Sequence, residues 1–421
     1  MNSRILSAVC VAGLLCLGTS AQATDLVTMQ QTALGNRAVV QRFMTNVEKS
    51  AKDVQRAKGG YYPSVDVFYT VNGLDESNLT GEDSENSVFA GKVSYNIFSG
   101  YRDKYGLASA EQLSEVEKYR LQGTRQDIQL IVALSYLNVY DRKANLKVTE
   151  DAFKTLTRVY RDGENRYDVG LIGKNELLKF RVDYDNADIT MKAAKAGLDK
   201  SVNSLSRQVG AQMMLADLDF AEFTMLPAPL NEDEYLQNML NSRSEIKALE
   251  TLVEATEYQV QVAYSDYYPN VDLIGSYSRY DDNFINGAGD NDEDEFRAQL
   301  QVSMNLFRGF TKEANTGKAK LEKRGLQYDL QELKETLEND LQNLFIDYRV
   351  SLENVEVAKR SIEQAEENLR ITQLKYDEGL ERESDLLDAI ASLSRAQANE
   401  VAVTRTVFAN YFQIQRMVGG F

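Results

Sequence analysis

Apolar and polar residues alternate with a period of two in four short segments of the chain. In the clearest segment the apolar positions are Phe296, Ala298, Leu300, Val302, Met304 and Leu306. Strict alternation over about ten residues predicts a β-strand with one apolar face, and a tilted strand of about this length spans a membrane. We therefore predict strands at about 62–72, 88–99, 268–280 and 296–307.

Apolar residues recur at spacings of three and four in long segments that contain no proline. One such stripe consists of Leu341, Leu344, Tyr348, Leu352, Val355, Ala358, Ile362, Ala365 and Leu369. This spacing predicts coiled-coil-like helices at about 103–165, 171–213, 312–376 and 382–418. A helix over 312–376 is about 95 Å long at about 1.5 Å per residue, which suits a tunnel wall or a fibre better than a globular core.

The same three motifs occur in the same order in both halves of the chain. They are YYPSVDV at 61–67 and YYPNVDL at 267–273, NIFSGY at 96–101 and NLFRGF at 305–310, and YDVGL at 167–171 and YDEGL at 376–380. Conserved order at a nearly constant offset indicates a tandem repeat. We place the first repeat at 24–230 and the second at 231–421, each with two strands followed by two long helices.

The first 23 residues predict a secretory signal peptide. Arg4 precedes the apolar run 5–18, and the small residues of 21–23 form an A-x-A cleavage pattern. Both cysteines, Cys10 and Cys16, lie inside this segment, so the mature chain is expected to have no disulfide and no thiol chemistry. Neither cysteine follows a small residue, and we therefore expect no lipid anchor.

The composition argues against several classes of function. The 421 residues contain no histidine, which is the commonest general base and metal ligand, and the net charge of −17 disfavours nucleic-acid binding. The chain also lacks a phosphate-binding G-x-x-x-x-G-K-[ST] loop. We predict no enzyme activity, no cofactor and no metal site.

Beyond the signal peptide the sequence has no apolar stretch long enough for a membrane-spanning helix, so crossing a bilayer would require a closed barrel. Four strands are too few to close a barrel, since small closed barrels have about eight or more. A membrane-spanning form must therefore be an oligomer.

The segments that join the paired strands are acidic and contain neither lysine nor arginine. They are 72–87, with five carboxylates, and 281–295, with seven. One interpretation is an external mouth that attracts cations, and the other is a solvated loop that keeps the chain soluble. A calcium site near 290–295 is a further alternative, although its spacing matches no calcium-binding loop.

The order of signal peptide, short helix, strand pair and helix pair, all repeated, resembles the TolC family of outer-membrane export channels. The most specific match is 376–389, where a tyrosine precedes a turn glycine and a D-x-L-D-A-like helix start. The resemblance implies a mainly α fold with a membrane β-barrel. In that fold a homotrimer forms one twelve-stranded β-barrel in outer-membrane lipid, on a periplasmic α-barrel. It also implies the outer membrane of a Gram-negative bacterium as the location.

The resemblance assigns a periplasmic gate to two carboxylates. Asp385 and Asp388 match residues that line the constriction of the family's channels, and they are three residues apart, so they share a helix face. In a trimer they would form two stacked rings that attract cations into the neck. Without the resemblance the same pair would be interpreted as a solvated helix face.

The resemblance also implies a latch that keeps the gate closed. Glu176 matches a carboxylate that hydrogen-bonds the tyrosine matched by Tyr376. The family's latch arginine is replaced here by Glu381, and Arg382 follows it, about 100° further round the helix. Arg382 is therefore the candidate substitute for that arginine.

The turns between the long helices are where the family's periplasmic adaptor docks. The resemblance carries this role to Gly170, Leu171, Gly379 and Leu380. A tight turn often needs a glycine with positive φ, so both glycines also have a purely structural explanation.

These inferences favour a passive conduit for type I protein secretion. A periplasmic adaptor (membrane fusion) protein would join it to an inner-membrane ATP-binding-cassette transporter. The chief alternative is small-molecule efflux with a proton-driven pump. Two others are a surface coiled-coil stalk, which leaves the strand pairs unexplained, and a carboxylate-pair hydrolase, for which an exposed helix provides no pocket.

Overall fold

The computed structural model describes residues 25–73, 75, 85–281 and 293–421. The predicted signal peptide, 1–23, lies outside the described residues, as do most of the two acidic loops and half of the calcium candidate at 290–295. Within the described ranges, no helix has both the length and the apolar character needed to cross a membrane.

Each half of the chain forms two helices, two strands and two long helices in the same order. In the first half these are α1 (Leu26–Asn36), α2 (Ala38–Lys58), β1 (Ser64–Gly73), β2 (Glu85–Ser99), α3 (Arg102–Asp168) and α4 (Lys174–Val209). In the second half they are α5 (Glu232–Ser242), α6 (Ser244–Tyr264), β3 (Asn270–Asp281), β4 (Glu293–Ser303), α7 (Thr311–Asp377) and α8 (Glu383–Met417). The helices α3 and α7 have 67 residues each, which corresponds to about 100 Å of α-helix at about 1.5 Å per residue.

Two element ends differ from the sequence-based prediction for identifiable reasons. Strand β4 ends at Ser303, four residues before the predicted end, because Ser303 pairs with Asn270 at the start of β3. Residue 269 is a proline, which has no N–H to continue the ladder. Helix α4 ends at Val209 because Gly210 adopts a left-handed conformation with φ 74°.

The four strands form one antiparallel sheet in the order β1-β2-β3-β4. The central pairing of β2 with β3 joins the two sequence repeats, and a register shift between Asn96 and Phe98 marks a bulge in it. The outer strands β1 and β4 each have one neighbour among the described residues, and every residue of β1 is exposed. The sheet therefore has two open edges, which native proteins usually cover or pair.

The two sequence repeats are not separate compact units. One unit, which we call the turn unit, comprises 25–33, 132–226 and 357–408 of the described chain. The other, which we call the sheet unit, comprises 34–131, 227–356 and 409–421. Each unit takes segments from both repeats, so the boundary at residue 230 divides the sequence and not the packing.

The sheet unit contains a network of ion pairs around two largely buried arginine side chains. Arg416, whose side chain is 5% exposed, binds Asp127 at 2.8 Å and also pairs with Glu245. Arg243 lies 3.3 Å from the same Glu245 carboxylate. Two arginines and two carboxylates balance their charges here, and removing a carboxylate would leave a buried arginine without one of its partners.

Candidate functional site

Two short turns in the turn unit connect the long helices, and they have the same geometry. Gly170 and Gly379 have φ of 78° and 76°, the left-handed conformation that glycine adopts without a side-chain penalty. The next residue in each turn donates its N–H five residues back, Leu171 to Arg166 at 2.8 Å and Leu380 to Lys375 at 2.8 Å. This pattern closes the carboxyl end of the preceding helix and leaves both leucines more than 70% exposed.

The predicted latch carboxylate Glu176 and the predicted gate carboxylate Asp385 lie in the first turns of the helices that follow these turns. Glu176 accepts a hydrogen bond from the backbone N–H of Gly173 at 3.3 Å, and Asp385 accepts one from the backbone N–H of Arg382 at 3.1 Å. Each acid lies three residues after the helix cap, in the same place in both repeats. A carboxylate in the first turn also interacts favourably with the positive end of the helix dipole. Both residues therefore have a local structural role.

Tyr376 lies in the apolar core of the turn unit. It is 8% exposed and packs in a cluster with Val159, Phe180, Leu386 and Ile390. The Phe180 and Tyr376 rings meet edge to face with centroids 6.3 Å apart. This cluster brings together side chains from all four long helices, so movement of one helix pair against the other must disturb it.

The predicted hydrogen bond between Glu176 and Tyr376 is not formed among the described residues. The Arg166 guanidinium lies 4.8 Å from the centre of the Tyr376 ring, a cation–π contact. Burial raises the pKa of the Tyr376 hydroxyl, Arg166 opposes that shift, and the charge of Glu176 adds to it. The Glu176 carboxylate therefore affects Tyr376 through its charge and not through a hydrogen bond. The side chain of Arg382 is exposed, and Arg382 donates a hydrogen bond to Asp385 from its backbone N–H.

Two ion pairs join the helix pairs directly. Arg166 of α3 binds Asp377 of α7 at 3.2 Å, and Lys179 of α4 binds Glu383 of α8 at 2.5 Å. The hydrogen bond from Lys179 is the main cause of a lowered pKa for Glu383. Neither pair was predictable from local sequence patterns, because the partners are 211 and 204 residues apart.

The second predicted gate carboxylate, Asp388, is exposed and has an acidic neighbour that sequence reasoning missed. Burial, followed by the charge of Asp388, raises the pKa of Asp183 on α4. Asp385 is also exposed, so the structure leaves both predicted ring carboxylates accessible. Across the described part of the chain, no group of acidic residues is arranged to hold a metal ion.

Comparison with known proteins gives the family. The model of the outer membrane efflux protein family matches twice, at residues 29–211 and 235–420. The outer membrane protein TolC of Escherichia coli is 20% identical over 413 residues, covering 94% of this chain and 83% of TolC. The alkaline protease secretion protein AprF of Pseudomonas aeruginosa is 22% identical over 312 residues, covering 73% of this chain and 63% of AprF.

A solved structure shares the fold. The outer membrane protein VceC of Vibrio cholerae superposes with a TM-score of 0.78 at 16% identity, covering 94% of this chain and 96% of VceC. Together with the duplicated strands and long helices, this likeness confirms the predicted fold class. The relatives also confirm the predicted location in the outer membrane. The chain, matched by the family model over most of both repeats, belongs to the outer membrane efflux protein family.

Proposed function

We propose that the chain is one protomer of a homotrimeric conduit that crosses the outer membrane and continues into the periplasm. The supporting observation is the sheet with two open edges, formed by strands of 10, 15, 12 and 11 residues. About nine to eleven residues are enough for a tilted transmembrane strand. Pairing of β4 in one copy with β1 in the next would close twelve strands from three copies and leave no edge unpaired.

We propose type I protein secretion as the route of export. Support comes from the similarity to a protease secretion protein of Pseudomonas aeruginosa. The chief alternative is small-molecule efflux, which is favoured by the description of the matching family model. A conduit of either kind carries no energy source of its own. The motor would be an inner-membrane ATP-binding-cassette transporter for secretion or a proton-driven pump for efflux.

The exposed turns are the surface on which a periplasmic adaptor would dock. Leu171 and Leu380 are 73% and 72% exposed, and Val169 is 70% exposed. Apolar side chains exposed on hydrogen-bonded turns are suited to insertion into an apolar groove of a partner. Replacing both leucines with serine should weaken adaptor binding in a pull-down, while the same change at the exposed Leu321 of α7 should leave it unchanged.

A deletion strain separates the two routes. Secreted proteins are compared by mass spectrometry, and sensitivity is measured against a panel of drugs and bile salts. Loss of one large protein from the medium with unchanged drug sensitivity would support type I secretion. Broad drug sensitivity with intact secretion would support the efflux duct and overturn the secretion proposal.

The exposed carboxylates form the proposed cation-binding neck of the closed channel. In a trimer Asp388 would supply three charges at one level, and Asp385 another three one turn away. Multivalent cations should block the wild-type conductance in planar bilayers, and Asp388→Asn should weaken that block. Asp199→Asn, an exposed acid far along α4, is the control, and equal block in all three proteins would contradict the assignment.

A further inference from the structure

Helices α4 and α8 lie in register immediately after the two turns. Lys179 is the sixth residue of α4 and binds Glu383, the first residue of α8. One turn further along α4 is Asp183, and five residues after Glu383 on α8 is Asp388. Both helices start at these turns and pack together through Phe180 and Leu386. Steps of four residues on α4 and five on α8, about 6 and 7.5 Å, therefore bring Asp183 and Asp388 to about the same level.

The first of these contacts is attractive and partly shielded from water. The Lys179 Nζ lies 2.5 Å from a Glu383 carboxylate oxygen, and the Glu383 side chain is 12% exposed while that of Lys179 is 48% exposed. The contact lowers the pKa of Glu383, so its carboxylate stays charged at neutral pH. A charged hydrogen bond with one shielded partner is stronger than an ordinary surface ion pair.

The second pair consists of two like charges with no compensating cation, and the charge of Asp388 helps to raise the pKa of Asp183. Asp183 is half-buried, Asp388 is exposed, and within the described chain neither carboxylate pairs with a lysine or arginine. The neighbouring Arg181 is already bound to Asp185 at 2.9 Å. Two like charges held at one level of adjacent helices push those helices apart.

We propose that Lys179 and Asp183 are positioning residues of opposite effect, which together set how readily α8 separates from α4 when the channel opens. The Lys179–Glu383 pair holds the two helices together, and the Asp183–Asp388 pair favours their separation. This inference rests on the proposed conduit, whose closed end would lie at these turns. It assigns the contact that holds α4 and α8 together to Lys179 and Glu383, two residues to which the family resemblance gives no role. They lie near the turn where Glu381 replaces the family's latch arginine.

The experiment records single channels of the purified full-length protein in planar bilayers. Lys179→Met keeps most of the aliphatic stem and removes the charge, and it should increase the open fraction about five-fold or more, as expected for an ion pair of this kind. Asp183→Asn keeps the shape and removes the repulsion, and it should decrease the open fraction. The exchange of Lys179→Glu with Glu383→Lys should return the open fraction toward the wild-type value.

The matched control is an ion pair of α4 that does not reach α8. Lys192 and Asp188 bind each other at 2.6 Å within the helix, so Lys192→Met and Asp188→Asn should leave the open fraction unchanged. If the wild type conducts and Lys179→Met behaves as this control does, the inference is wrong. It is equally wrong if Asp183→Asn increases opening, because a merely loosened structure would respond in the same direction to both changes.

The same recordings separate this inference from the proposed function. A wild-type protein that is folded and trimeric but never conducts would contradict the conduit itself. A conducting wild type whose charge exchange fails to restore gating would contradict only the pairing of Lys179 with Glu383.

Discussion

Gly163 of α3 lies directly against the Phe180 ring of α4, with no room between them for a side chain. A Cβ at this position would lie 2.7 Å from Cδ2 and 3.1 Å from Cε2 of Phe180, which is 1% exposed. The Phe180 ring has little room to move because it also packs against Tyr376 and Leu386. Gly163→Ala should therefore force α3 and α4 apart or displace the ring from the cluster.

The expected cost can be worked out from two opposing effects. Overpacking a close-packed core costs about 1–3 kcal/mol, and alanine in place of glycine in a helix returns up to about 1 kcal/mol. The net loss of local stability is about 1–2 kcal/mol. Because about 1.4 kcal/mol corresponds to a factor of ten, amides near Phe180 should exchange hydrogen roughly 5- to 30-fold faster.

Hydrogen exchange measured by mass spectrometry on peptides from the start of α4 provides the assay. The control is Gly197→Ala on the same helix, where the nearest atom to a new Cβ is 4.0 Å away, so that this change should slow exchange slightly. Equal protection in the two variants would refute the argument that Gly163 is required by the ring of Phe180. Phe180→Leu in the Gly163→Ala background should recover part of the protection.

Three further results are expected. Gly379→Ala should lower the thermal midpoint, because alanine at φ 76° is strained by about 1 kcal/mol. Gly325→Ala is the control and should not lower it, because Gly325 lies in a helix with open space around it. Asp385→Ala should destabilise the start of α8 by about 0.5–1.5 kcal/mol, measured by hydrogen exchange, and Asp385→Asn should retain the hydrogen bond to the Arg382 N–H. Burial and two neighbouring aspartates raise the pKa of Glu222 to about 7. The folded state therefore binds this proton more tightly than the unfolded state does, and the free energy of unfolding falls as the pH rises from about 4.5 to about 7. Glu222→Gln should therefore melt higher than the wild type at about pH 8 and show no advantage at about pH 4, and a gain that is independent of pH would contradict this linkage.

The features predictable from the sequence are those encoded locally. Period-two alternation gave the strands, spacings of three and four gave the long helices, and recurring motifs gave the repeat. The positive φ of Gly170 and Gly379 also followed from their position between two helical stripes. Alternation and helical spacing are local signals, in which backbone geometry relates sequence directly to structure. The repeat is recognised instead by comparing motifs that lie 206 to 209 residues apart.

The contacts that hold the helix pairs together were not predictable from local pattern. Lys179 and Glu383 have no shared motif, and only the packed helices bring them within 2.5 Å. The cap formed by Glu176 had a local signal, an acid in the first helical turn, but the family resemblance directed attention to Tyr376 instead. The end of β4 was likewise set by its partner strand and not by its own apolar alternation.

The central claim is that three copies of this chain form one conduit through the outer membrane. The most direct measurement is single-channel recording of the purified protein in a planar bilayer. The account predicts discrete conductance steps that multivalent cations block. A folded protein that inserts into the bilayer and gives no discrete conductance would contradict it.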